Sequence, residues 1–171
     1  QGKPRWADKA PDNVLYLNYW QRLLNDQFIV IHTIRHPLDV LASLNEAGFY
    51  KTVPQEFPAK LAMYDKYLTS AFRFAEQNPG KVINLRYEEL VSDPETTLDL
   101  LFSEIGEVFE PEVLSNFMSD ARQPGLEDPK VRNSGQVHSR SIGRWKTDLT
   151  EQQKEQATSH LRPWLEELKY R

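Results

Sequence analysis

The sequence predicts an α/β fold in which parallel strands are flanked by helices. Two short, β-branched runs, Phe28–Ile34 and Lys81–Leu85, alternate with longer stretches of helical periodicity, the pattern of layered α/β domains. The first run leads through Pro37 directly into a helical pattern, giving strand, tight turn and helix in succession. The 171 residues suffice for one sizeable core, so residues 1–171 are read as a single domain. Two strands are few for a sheet, and the reading includes a sheet that is incomplete at its N-terminal side.

Each element has its own signal. Asn13 to Asp26 carries a broad apolar face through Val14, Leu15, Leu17, Tyr19, Leu23 and Leu24, which predicts a helix. Phe28–Ile34 reads as a buried strand. Leu38 to Ala47 reads as a helix stopped near Gly48. Phe49 to Pro58 holds two prolines and reads as a loop. Ala59 to Gln77 is a long helix that Asn78-Pro79-Gly80 ends, and Lys81–Leu85 is the second strand. Ser92-Asp93-Pro94-Glu95 combines a capping-box pattern with a first-turn proline and opens a helix running to Ile105, with Gly106 as its stop. Glu112 to Ser119 reads as a short helix. Ala121 to Arg140 is polar and without period, the mark of a long loop. Thr150 to Leu161 is the last long helical stretch, broken by Pro163 before Trp164 to Tyr170.

Composition narrows the function classes. Net charge is −4, so nothing global favours nucleic acid or an anionic membrane. Any anion site must be built from a few placed cations. There is no cysteine, which removes disulfides, thiolate metal sites and cysteine nucleophiles. No apolar run approaches the ~20 residues of a membrane-spanning helix. Localisation is read as cytoplasmic with a lumenal origin left open, because a cysteine-free chain suits either redox state.

The segment richest in chemistry is Phe28 to Leu44. Arg35 stands at the carboxyl end of a strand and just before a helix, the edge where ligands bind in open parallel sheets. Its guanidinium can grip a phosphate through two parallel hydrogen bonds. The helix that follows offers an N-terminus that favours anions, and Ser43 on it offers a hydroxyl donor. The alternative pairs Arg35 with Asp39 and makes Ser43 a small packing residue.

The run R-H-P-L-D-V with a serine eight residues past the arginine resembles the 3′-phosphate-binding motif of the PAPS-dependent sulfotransferases, in particular the tyrosylprotein-type and related bacterial members. Three further segments resemble that family in the same order. Trp6-Ala7-Asp8-Lys9-Ala10-Pro11 is similar to its W-x-D-K-x-P segment, Arg86-Tyr87-Glu88-Glu89-Leu90 to its Y-E-D/E-L segment, and Val131 to Lys146 to its C-terminal donor-binding loop. The resemblance implies a partial P-loop-NTPase-like fold. It implies transfer of a sulfonate from PAPS to an acceptor hydroxyl or amine with release of PAP, without a metal. Arg35, Ser43 and Arg144 would then hold the 3′-phosphate, and Tyr87 the adenine side. Ser134, Gln136 and Val137 would cross the nucleotide, and Lys9 would stabilise charge near the transferred group. Taken separately, Lys9 reads as an exposed lysine, Tyr87 as a core tyrosine, and the loop as a solvated basic one.

The match has gaps. The family's glycine-rich 5′-phosphosulfate loop has no counterpart here, and family order would place it, with the first strand, before Trp6. Pro11 stands where cytosolic members carry a base histidine two residues past the lysine, which leaves Asp8 as the fallback. Ala47 stands where the tyrosylprotein type has a third basic residue. His32, His36, His138 and His160 show no metal spacing, and His32, inside a strand, reads as structural. Two other readings stay open: a nucleotide or small-molecule kinase of related fold, and a non-catalytic nucleotide- or partner-binding module. Partners are expected to be an acceptor of unspecified class, with no nucleic acid and no membrane segment, and either a separate chain completing the sheet or a second copy.

Overall fold

A computed structural model describes residues 5–46, 52–117 and 139–170. Pro11 starts a 3-10 helix, Pro11–Tyr16, which passes into helix α1, Leu17–Leu23. The sequence had suggested one continuous α-helix from Asn13 to Asp26. Asn25 and Asp26 instead take left-handed backbone angles of 47° and 64°, tolerable for these two residue types and incompatible with continuing a helix. The expected apolar face is only partly covered. Leu17 is buried while Leu23 and Tyr19 are exposed.

Strand β1, Val30–Ile34, is followed after two residues by α2, Pro37–Glu46. Helix α3, Phe57–Gln77, begins two residues earlier than periodicity suggested, with Pro58 in its first turn. It leads to β2, Val82–Arg86. The strands pair in parallel, with Val30 opposite Val82, His32 opposite Asn84 and Ile34 opposite Arg86. Among the described residues they form a two-stranded sheet flanked by helices. Parallel pairing needs a crossover between the strands, and α2 and α3 supply it.

A short helix α4, Tyr87–Ser92, follows β2 directly. Helix α5, Pro94–Glu104, is capped by Asp93, whose side chain accepts from the Thr96 N–H. The cap is therefore Asp93, one residue later than the Ser92–Glu95 box. Gly106, at φ +74°, closes α5 as expected. After α6, Glu112–Phe117, the chain is described again from Ser139. A single turn, α7 (Trp145–Asp148), precedes α8, Glu151–His160, and α9, Arg162–Glu167. Thr150 and Gln153 form a reciprocal capping box at the start of α8.

The core lies between α2, α3 and the C-terminal helices. Leu38, Leu41 and Ala42 meet Phe57 and Leu61, and Leu149, Ala157 and Leu161 close over them. This packing clamps the C-terminal helices onto the helix that starts at the end of β1. It thereby fixes what lies around Arg35.

Candidate functional site

Arg35 leaves β1 at its carboxyl end, half-buried. Its guanidinium lies over the ring of Tyr87, 4.6 Å from the centroid, because β2 runs beside β1 and delivers Tyr87 at the matching strand end. Its Nη2 donates to the backbone carbonyl of Ser141. Its Nε–H is buried and has no hydrogen-bond partner among the described residues. An unmet buried donor costs about 1–3 kcal/mol, and on a permanently charged group it favours an anionic acceptor.

Asp39 does not pair with Arg35. Fully buried in the first turn of α2, it accepts from the backbone N–H of Gly143 at 2.8 Å and of Trp145 at 3.0 Å. The alternative in which Asp39 neutralises Arg35 is thus set aside by geometry. Ser43 lies four residues on and Glu46 three beyond that, so all three share one stripe of α2. Glu46 forms an ion pair with Arg144. Asp148 does so too, at 2.6 Å. Ser43 therefore stands on the seam between the two places where α2 grips residues 143–145. A shallow cavity of about 440 Å³ opens at this seam, lined by Ala42, Asn45, Glu46, Arg144 and Asp148. Burial works against the Arg144 charge, but Glu46 and Asp148 together outweigh it and raise the guanidinium's pKa.

Glu88, beside Tyr87, organises the other flank. Its Oε1 accepts from the His36 N–H at 2.8 Å and its Oε2 from the Tyr170 hydroxyl at 2.9 Å. The His36 ring stacks on Trp145 with centroids 5.4 Å apart and tilts against Tyr170 at 5.0 Å. Its Nδ1 accepts from the Leu38 N–H at 3.2 Å. The Tyr64 hydroxyl points at the Arg35 carbonyl at 3.5 Å. Burial, with the negative field of Tyr170 and Glu88 behind it, keeps Tyr64 protonated far above the ordinary tyrosine range. Burial and the bond to Glu88 do the same for Tyr170. Arg86 donates to the Leu168 carbonyl at 2.7 Å and lies over the Tyr170 ring.

Arg35 and Tyr87 thus meet at the paired strand ends, whereas Arg144 pairs with Glu46 at the last residue of α2 and Ser43 lies one turn before it; no described contact joins Ser43 or Arg144 to Arg35. Lys9 is exposed on the extended stretch before the 3-10 helix, and no described contact joins it to these residues. Ser134, Gln136 and Val137 lie outside the described residues. Sequence reasoning missed Glu88 as an organiser, Asp39 as an anchor and the Ser141 carbonyl as a partner. The first two had a signal, an acid within each matched motif. A backbone carbonyl has none.

Residues 1–111 match the model of the family described as "Sulfotransferase family". The chain belongs to the sulfotransferase family. Among solved structures, this chain is similar to the "Sulfotransferase Domain from the Curacin Biosynthetic Pathway". The TM-score is 0.69 at 21% identity, over 93% of this chain and 63% of that one. At that identity the likeness is one of fold, and this chain spans under two thirds of that domain's length. No curated protein matches the sequence significantly.

Proposed function

We propose that the protein is the 3′-phosphate-binding portion of an enzyme that transfers a sulfonate from PAPS to an acceptor hydroxyl or amine. The observation that carries this is the state of Arg35. It is a charged side chain at a parallel-strand end, laid on an aromatic ring, with a buried N–H that lacks an acceptor among the described residues. A phosphate oxygen meets that need. Ser43, on the adjoining helix stripe, supplies a hydroxyl donor to the same anion. Arg144 would add charge, exchanging part of its carboxylate pairing for phosphate. Tyr87 would face the adenine side while its ring holds Arg35.

In the reaction, the acceptor oxygen or nitrogen forms a bond to sulfur while the bond from sulfur to the bridging oxygen of PAPS breaks. PAP leaves, and the acceptor proton passes to a base. Such transfer depends on in-line positioning and charge stabilisation, and Lys9 is the residue proposed to meet the charge on the bridging oxygen.

The test is a calorimetric titration with PAP beside adenosine 5′-monophosphate, which lacks the 3′-phosphate. Binding of PAP with clear preference over the monophosphate is expected, together with its loss in Arg35→Ala. Equal affinity for the two ligands, or unchanged PAP affinity in Arg35→Ala, would overturn the assignment.

A further inference from the structure

Buried carboxylates are costly unless their oxygens are satisfied. Asp39 is fully buried in α2, and each of its oxygens has its own donor, Gly143 N–H for one and Trp145 N–H for the other. Both donors belong to one short turn, 104 and 106 residues away in sequence. No repeating ladder places that turn there. Asp39 holds its backbone to α2, while Glu46 holds the Arg144 side chain.

The same turn reaches Arg35. Ser141, two residues before Gly143, gives its carbonyl to Arg35 Nη2. Gly143 sits at φ +74°, a left-handed angle that lets the chain reverse between the carbonyl aimed at Arg35 and the N–H aimed at Asp39. Trp145 then stacks on His36, the residue between Arg35 and α2. Asp39 thus sets the register of a turn that touches both Arg35 and its neighbour.

We infer that Asp39 is a positioning residue: it latches residues 141–145 across the end of β1 and so fixes Arg35 in the orientation that receives an anion. The inference rests on the donor-site reading above. Asp39 does not touch the ligand. It acts through the turn. Asparagine at this position keeps the shape but replaces one acceptor oxygen by an NH2 facing a backbone N–H, so one of the two bonds must open. Bonds to a charged acceptor are the stronger kind, so opening one should release the turn well before the domain unfolds.

The experiment compares the unsubstituted protein, Asp39→Asn and Phe74→Leu. Phe74 is buried in the last turns of α3 against Phe28, away from the core cluster that packs on the turn, so its variant controls for lost stability. Two quantities are read: hydrogen exchange of the Gly143 and Trp145 amides without ligand, and PAP affinity. Asp39→Asn should speed exchange at those amides and weaken PAP binding, each by roughly tenfold or more. Phe74→Leu should leave both close to the unsubstituted values at the same distance from unfolding. Equal loss of amide protection in the two variants, or loss of protection with PAP affinity intact, would overturn the inference. If Asp39→Asn does not fold, the unsubstituted protein decides: slow exchange at both amides supports the latch and rapid exchange refutes it. Failure of the unsubstituted protein to bind PAP defeats the donor reading instead. That outcome is distinct, because the amides are measured without ligand.

Discussion

The Arg35 guanidinium lies 4.6 Å from the centroid of the Tyr87 ring, joining the ends of two strands that are paired in parallel. The ring face attracts the cation, by about 0.5–2 kcal/mol for contacts of this kind. Tyr87→Phe keeps the face and should leave PAP affinity within about threefold of the unsubstituted value. Tyr87→Ala removes it and should weaken binding by roughly 3- to 30-fold. Calorimetric titration of both variants checks this, and equal affinities would show that the ring does not hold Arg35.

Arg144 separates two roles by its response to substitution. Its pairs with Glu46 and Asp148 are partly open to solvent, and such pairs contribute about 0–1 kcal/mol each. Arg144→Met should therefore lower the urea midpoint only slightly. If Arg144 also reaches the phosphate, PAP affinity should fall by tenfold or more, as for a charge-assisted bond. A fall in stability with affinity preserved would confine Arg144 to the seam between α2 and α7.

The His32 imidazole is held below its ordinary pKa by burial, partly offset by its hydrogen bond with Asn84. The folded state thus resists taking a proton that the unfolded chain accepts near pH 6.5. The sign follows from linkage: the stabilising effect is present above about pH 6.5 and is lost as pH falls toward the folded-state value. Denaturant midpoints should drop between pH 7.5 and 5.5. The drop should be smaller in His32→Gln, and an identical drop in both proteins would refute this account.

Leu41 is completely buried in α2 among the core residues that clamp the C-terminal helices. Leu41→Ala should cost about 2–5 kcal/mol of unfolding free energy. Because α2 also carries Asp39 and Ser43, PAP affinity should fall with it. Chemical denaturation and titration of the same preparation measure both.

What the sequence disclosed follows from the range of each interaction. The two strands and α2 were legible because short β-branched runs, a first-turn proline and helical spacing are local signals, although the expected burial of the first run was not met, since Ile29 and Ile31 are exposed. Arg35 and Ser43 were legible as a spaced pair on those elements. Helix α4 was not, since Tyr87–Ser92 has barely a turn and a half and drew attention as a motif; nor was the single turn α7. The bond from Asp39 to Trp145 could not be read, because it depends on how α8 packs against α2, over a separation of 106 residues. The alternative of an Arg35–Asp39 pair looked equally plausible for that reason. The dual role of Glu88 was hidden similarly, since its hydroxyl partner, Tyr170, lies 82 residues away.

The distance in sequence between the members of this site bears on when it comes into being. Arg35, Glu88, the Ser141–Trp145 turn and Tyr170 are held by one another. Contacts of such separation carry a large loop-closure entropy and tend to form late. A nascent chain leaving the ribosome would present Arg35 and Tyr87 long before the turn and the tyrosine that lock them. If the site binds the donor as proposed, recognition would be acquired only after translation has passed residue 170, and an anion that binds the locked site would act on the newborn protein as a pharmacological chaperone, drawing it toward the finished fold.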